Sequence, residues 1–123
     1  MDSQAKYKLI ARLPLFQAGL QRVIAGAEHY KLALMCAEAD PLSCHRAILV
    51  CREISKTRPD MRIIHILPDG STESHEEAEQ RLIKLHGLEP ELFGSLSSET
   101  GLIEEAYYRQ AEKIGFRKSL VEI

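Results

Sequence analysis

The sequence predicts an α/β domain: a small parallel sheet built on a right-handed strand–helix–strand unit and flanked by helices. Three observations carry this. Lys31–Ala37 (KLALMCA) is a continuous apolar run after its first residue, as in a strand covered on both faces. Asp40-Pro41 followed by Cys44, Ala47, Ile48, Cys51 and Ile54 has the i, i+3, i+4, i+7 spacing of an amphipathic helix. Arg62–Leu67 (RIIHIL) is short, branched and apolar, a second strand. A strand, a helix and a strand in this order make a parallel pair with a right-handed crossover.

Each remaining element follows from local signals. Pro14–His29 reads as a helix, with Pro14 at its first position and Leu15, Phe16, Leu20, Val23, Ile24 and Ala27 along one stripe. The central helix is capped by Asp40, runs to about Lys56 and is broken at Thr57-Arg58-Pro59-Asp60. After the loop Pro68–Thr72, Ser74 and Glu77 form a capping box for a helix to about His86, closed by Gly87. A connection over Leu88–Leu96 leads to a last helix, about Glu99 to Ile114, with Ile103, Ala106, Tyr107, Ala111 and Ile114 on one side and Gly115 at its end. Two strands bury little and expose their edges. The sheet is therefore expected to be completed by further strands, a second copy of the chain, or sequence outside residues 1–123.

Composition sets the class. With 123 residues there is room for one domain, 1–123, and one core. An apolar fraction of 45% with 28% charged residues is ordinary for a globular chain and excludes the disordered class. No apolar run approaches the roughly 18 residues that span a bilayer, and no secretory leader is legible. Three irregularly spaced cysteines do not make a disulfide framework. The expectation is a cytoplasmic protein without a membrane partner. The net charge of −2 hides an asymmetry: residues 1–62 hold ten Lys/Arg and six Asp/Glu, residues 63–123 six and twelve. The basic first half suits an anionic ligand, although solvated helix faces give the same count. A net negative chain with 6% aromatic residues and no nucleic-acid motif argues against nucleic acid.

The chemistry gathers where ligands bind in open parallel sheets, beyond the carboxyl ends of the strands. That edge collects Cys36, Glu38, the turn Asp40–Arg46 and the loop around Asp69. Cys44 near a helix amino terminus and beside Arg46 is the candidate nucleophile or redox thiol, since both neighbours favour a thiolate. His45 is the candidate proton carrier, and Arg46 the clamp for a phosphate or carboxylate. Cys36, Glu38, Asp40 and Asp69 are candidate ligand-binding groups. The structural alternatives stand beside these. Cys44 belongs to the apolar stripe, Cys51 reads as core, Cys36 as the end of a buried strand, and Asp69-Gly70 as a turn. His65 reads as a satisfied core or interface residue, and His75 with Glu73, Glu76, Glu77 and Glu79 as an exposed helix start.

No metal or other cofactor is expected. Zinc held by Cys36, Cys44 and one or more of His45, His65 and His75 is the weaker reading, because no C-x-x-C pair is present. Dinucleotide and P-loop signatures are absent. Nine residues separate Cys36 from Arg46, which is not the spacing of the cysteine-phosphatase cradle. A small anionic ligand and either a homo-oligomer or an association with a missing amino-terminal half are the expected partners. A non-catalytic binding or assembly module, with the Cys-His-Arg segment structural, is the alternative.

The segment Leu34–Arg46 resembles the CAE-x-DP-x-x-CHR signature of domain-of-unknown-function family 488. Leu13–Leu20, His65-Ile66-Leu67 with Asp69-Gly70, Leu92-Phe93-Gly94, and Glu105-Ala106-Tyr107 with Gln110 extend the resemblance over nearly the whole chain. That family has no settled activity. The resemblance implies that the chain is the carboxyl-terminal portion of the domain, because members begin with a further strand, a helix and an Asp-Val-Arg segment.

Overall fold

The computed structural model describes residues 3–88 and 99–122. In chain order it contains α1 (Ser3–Arg12), α2 (Pro14–Ala27), a 3-10 turn (Pro41–Ser43), and a π-helical segment (Arg46–Cys51) that continues into α3 (Arg52–Thr57). These are followed by β1 (Ile64–Ile66), β2 (Thr72–Ser74), α4 (His75–Leu85) and α5 (Glu99–Glu122). Helix dominates, and the sheet is a single two-stranded antiparallel pair with Ile64 opposite Ser74, His65 opposite Glu73 and Ile66 opposite Thr72.

The predicted parallel unit is therefore corrected. The second strand is present as β1, but its partner is the unexpected β2, eight residues along the chain, rather than residues 31–37. A tight turn produces this pairing. Gly70 N–H donates to Leu67 O (2.9 Å), with Pro68 in the position where its fixed φ suits a turn. Gly70 itself has φ +87°, the left-handed geometry that a three-residue hairpin loop requires. Closing so short a loop costs roughly 1–2 kcal/mol less than bringing residues 31–37 alongside β1. Residues 31–36 remain outside any strand or helix, and their apolar side chains face solvent: Met35 is 93% exposed.

The central helix is also corrected. Asp40 caps only the 3-10 turn, its Oδ1 accepting from Leu42 N–H at 3.0 Å. Cys44 is then extended (φ −143°, ψ 165°), and a new helix begins after it. This helix is wound wide at first, with Arg52 N–H reaching Ala47 O five residues back. The wider turn brings Leu49 into the core beside the predicted Ala47, Ile48, Cys51 and Ile54.

Several local signals hold. Ser74 and Glu77 form the predicted capping box at α4. At the other end Leu88 N–H donates to Ile83 O (3.1 Å) and Gly87 N–H to Lys84 O (3.0 Å), a Schellman motif with Gly87 at φ +65°. Leu88 is buried there. α2 starts at Pro14 and buries Leu20 and Ile24, whereas Leu15 of the predicted stripe points to solvent. α5 runs through Gly115 instead of ending at it. The predicted Leu88–Leu96 connection and Leu92-Phe93-Gly94 lie largely outside the described residues.

The main core lies between α1, α4, α5 and the π-helical segment, around Ala78, Leu82, Ala106 and Ala111, each at most 1% exposed. The alanines let α5 approach closely, and Gln110 uses that proximity. Its amide donates to Leu42 O (2.6 Å), and its Oε1 lies 2.9 Å from His86 Nε2. A smaller cluster of Leu20, Ile24 and Ile54 joins α2 to α3, with Phe16 packed against both. Arg81 forks between Glu73 (Nε–Oε2, 2.9 Å) and Asp40 (Nη2–Oδ1, 3.1 Å), tying the hairpin and α4 to the turn before Cys44. No helix among the described residues is long and apolar enough to cross a membrane.

Candidate functional site

Two adjoining concavities receive the residues around Cys44. The smaller, about 170 Å³, is lined by Cys36, Ala37, Glu38, Ser43, Cys44, His45 and Ile114. Cys44 sits at the amino terminus of the helix that starts at His45. Its carbonyl accepts from Ile48 N–H (3.3 Å), and its sulfur accepts from Arg46 N–H (3.2 Å). This is the arrangement of an N-cap, with sulfur in place of the usual oxygen. Burial nevertheless pushes the Cys44 thiol up, the neighbouring Cys36 adds to the rise, and the Arg46 N–H opposes it. Cys36 is partly buried and donates from Sγ to Glu38 O (3.6 Å). All three cysteines are free thiols, and burial holds Cys51 up at about 11. His45 stacks edge-on against Tyr7, with ring centroids 5.2 Å apart. The Tyr7 hydroxyl is buried without a hydrogen-bond partner, and its pKa is pushed up to about 12 by burial.

The larger concavity is a groove of about 860 Å³. The extended segment Tyr30–Met35 and residues 61–66 line it, with α2 contributing Val23, the π-helical segment Cys51 and α3 Ile54. Arg46 belongs to this groove rather than to the smaller cavity, and Glu38 borders both. The wall is apolar through Leu32, Leu34, Ile63, Ile64 and Ile66, while Lys31, Arg46 and Arg62 bring positive charge. One atom stands out. Nη2 of Arg46 is buried and has no hydrogen-bond partner among the described residues.

The sequence-derived residues thus divide. Cys36, Glu38, Cys44 and His45 share the smaller cavity, and Arg46 turns into the groove on the other side. Asp40 is held by Arg81 and Leu42 N–H, and the hydrogen bond from Arg81 is the main reason its carboxyl lies below the usual carboxylate range. Asp69 lies in the hairpin turn, accepting from Ser71 N–H (2.9 Å) and Ser71 Oγ–H (2.6 Å), and lines neither concavity. Its charge therefore serves the turn. Among the described residues no group of three or more His, Cys, Asp or Glu side chains is arranged to hold a metal ion.

Sequence reasoning missed a buried polar chain behind the groove. His65 lines the groove and is 3% exposed; its Nε2 lies 3.0 Å from Nδ1 of His75, itself 2% exposed. His75 Nε2 is 3.2 Å from the Tyr107 hydroxyl, which donates to Glu79 Oε2 at 2.9 Å. The guanidinium carbon of Arg52 lies 3.9 Å from the Tyr107 ring centroid, and Arg52 also pairs with Glu104. His75 is therefore buried, not part of an exposed helix start, and Glu73 is buried beneath Arg81. Burial lowers the pKa of both histidines, that of His65 to about 4, where competition with His75 for a proton and the charge of Arg46 add to the effect. The available signal was the alternation within RIIHIL, which places His65 on the face opposite Ile64 and Ile66.

A family profile described as "Domain of unknown function DUF488" matches residues 1–52. The match covers the amino-terminal part of this chain, including Leu34–Arg46, and stops before the likenesses noted over residues 65–110. It thus lies on a different part from the carboxyl-terminal portion expected above. No curated protein and no solved structure matches the chain.

Proposed function

We propose that this chain, whose residues 1–52 match the DUF488 family model, binds a small anionic organic molecule in the groove between residues 30–35 and 61–66. The anionic group is a phosphate or carboxylate, and Arg46 clamps it. One observation carries this reading: the buried, unpartnered Nη2 of Arg46. A buried donor left unpaired costs roughly 1–3 kcal/mol, and more where it is charged. An oxyanion supplies the missing acceptor, and a guanidinium can meet it with two parallel hydrogen bonds. Lys31 and Arg62 add charge of the same sign, and the apolar wall suits an organic body such as a nucleoside.

The thiols take a secondary part. A Cys44 thiol raised by burial and used as an N-cap is a poor nucleophile at neutral pH, so we place no covalent step on it. His45 and Cys36 complete the small cavity beside the anion site.

Titration calorimetry with inorganic phosphate and adenosine monophosphate tests the reading. Saturable binding is expected, weakened on the order of ten- to a hundredfold in Arg46→Met, the worth of one or two charge-assisted hydrogen bonds. Absence of binding, or binding indifferent to Arg46→Met, overturns it.

A second reading has its own observation. Met35 is 93%, Ile66 64% and Leu32 48% exposed along the groove, apolar side chains of the kind that a partner surface covers. Association of this face with another chain would cover it. Light scattering that gives a monomer at all accessible concentrations counts against that reading.

A further inference from the structure

The chain of buried groups ending at the groove has a fixed direction. Glu79, as a carboxylate, can only accept hydrogen bonds, so the Tyr107 hydroxyl spends its proton on Glu79 Oε2. That hydroxyl can then only accept from the ring nitrogen facing it, Nε2 of His75 at 3.2 Å, which therefore carries the proton. A neutral His75 with its proton on Nε2 presents a lone pair at Nδ1. There it meets Nε2 of His65 at 3.0 Å, which must donate. A neutral His65 with its proton on Nε2 has its lone pair on Nδ1. That atom has no partner among the described residues, and His65 borders the groove that holds Arg46.

The surroundings of His65 disfavour a second proton on its ring. His75, Arg46 and Arg81 are positive or compete for the same proton, Glu73 alone has the opposite sign, and Arg81 already occupies Glu73 with two hydrogen bonds. The relay therefore leaves Nδ1 of His65 as an acceptor, and His65 and Arg46 both line the groove.

We propose that His65 Nδ1 is the acceptor that selects the ligand: the oxyanion is bound in its singly protonated form, which inorganic phosphate and phosphate monoesters (second pKa about 6) can reach near neutral pH and sulfate cannot. His75, Tyr107 and Glu79 are positioning residues that set the tautomer. This rests on the anion-binding reading of Arg46 and narrows its ligand class. A P–O–H group donates to Nδ1 while its ionised oxygens accept from Arg46. Sulfate sets an oxygen lone pair against the nitrogen lone pair, and the site rejects it by repulsion and lost pairing together.

The test uses the full chain in two measurements. In the anion-free protein, ¹⁵N shifts of the imidazole rings near neutral pH are expected to show His65 protonated on Nε2 and bare on Nδ1. Titration with inorganic phosphate and with sodium sulfate at matched ionic strength is expected to favour phosphate on the order of ten- to a hundredfold. His65→Gln retains an amide donor in the place of Nε2, so the bond to His75 and the fold are kept, while the lone pair at Nδ1 is lost. That variant is expected to bind the two anions within about threefold of each other, roughly 0.6 kcal/mol. Equal affinities in the unaltered chain, or a proton on Nδ1 of His65, overturn the selectivity proposal and leave the Arg46 reading standing. Failure of both anions to bind overturns both.

Discussion

Cys44 shows how two neighbours of one atom pull against each other. The helix amino terminus and the Arg46 N–H at 3.2 Å favour negative charge on sulfur. Burial to 6% exposure and the adjacent Cys36 disfavour it, and they prevail. At neutral pH the residue is a thiol that caps a helix. Alkylation by iodoacetamide is accordingly expected to be slower at Cys44 than at the more exposed Cys36 at pH 7, with the Cys44 rate rising only above the ordinary thiol range of about 8.5. Mass spectrometry of the modified peptides reads both sites in one experiment. Rapid modification of Cys44 at pH 7 would restore the nucleophile reading. Arg46 is the opposite case: its backbone serves the cap, its side chain is left with a buried donor to satisfy, and only the latter asks for a ligand.

At the scale of elements, what the sequence made legible is what short-range chemistry decides. Pro14 at the first turn of α2, the Ser74–Glu77 box and the Gly87 terminus are set by residues within a few positions of one another, and each is where the pattern places it. The apolar run KLALMCA is strand-like by the same reasoning, yet a strand exists only with a partner, and its partner is not fixed locally. Pro68-Asp69-Gly70 instead gives β1 a local partner in β2. The wide π-helical winding from Arg46 was likewise invisible, because the i, i+3, i+4 pattern is satisfied by either helix. For the site, the pattern located the Cys36–Arg46 segment, while the relay behind it joins β1, α4 and α5 and required the packing to be seen.

That joint between β1 and α4 has a pH signature. His65 falls to about 4 from an ordinary 6.5, and His75 is lowered as well, both chiefly by burial. The unfolded chain therefore takes up protons that the folded chain refuses as pH falls below about 6.5. Stability contributed by keeping these rings neutral is fully present above that value and is lost progressively towards pH 4. Urea midpoints measured between pH 7.5 and 4.5 are expected to fall across that window, and to fall less in His65→Gln. A midpoint independent of pH, or the same slope in both proteins, contradicts this assignment.

For the molecule as a whole, the two clusters divide the labour. The helical core of α1, α4 and α5 supplies most of the burial, with Leu82 at its centre at 1% exposure. The lesser cluster of Leu20, Ile24 and Ile54 supports the groove from beneath. The basic half of the sequence, residues 1–62, contributes Lys31, Arg46 and Arg62 to that groove, so the charge asymmetry noted in the sequence has a place in the fold. The groove also holds the exposed apolar segment that the predicted sheet would have covered. Ligand and association readings therefore concern one face, and a single map distinguishes them. The most direct test is an amide ¹H–¹⁵N titration of the uniformly labelled chain with inorganic phosphate. The account predicts saturable shifts concentrated at residues 30–35, 45–47 and 62–66. Shifts confined to residues 99–122, or no saturable shift anywhere, would contradict it.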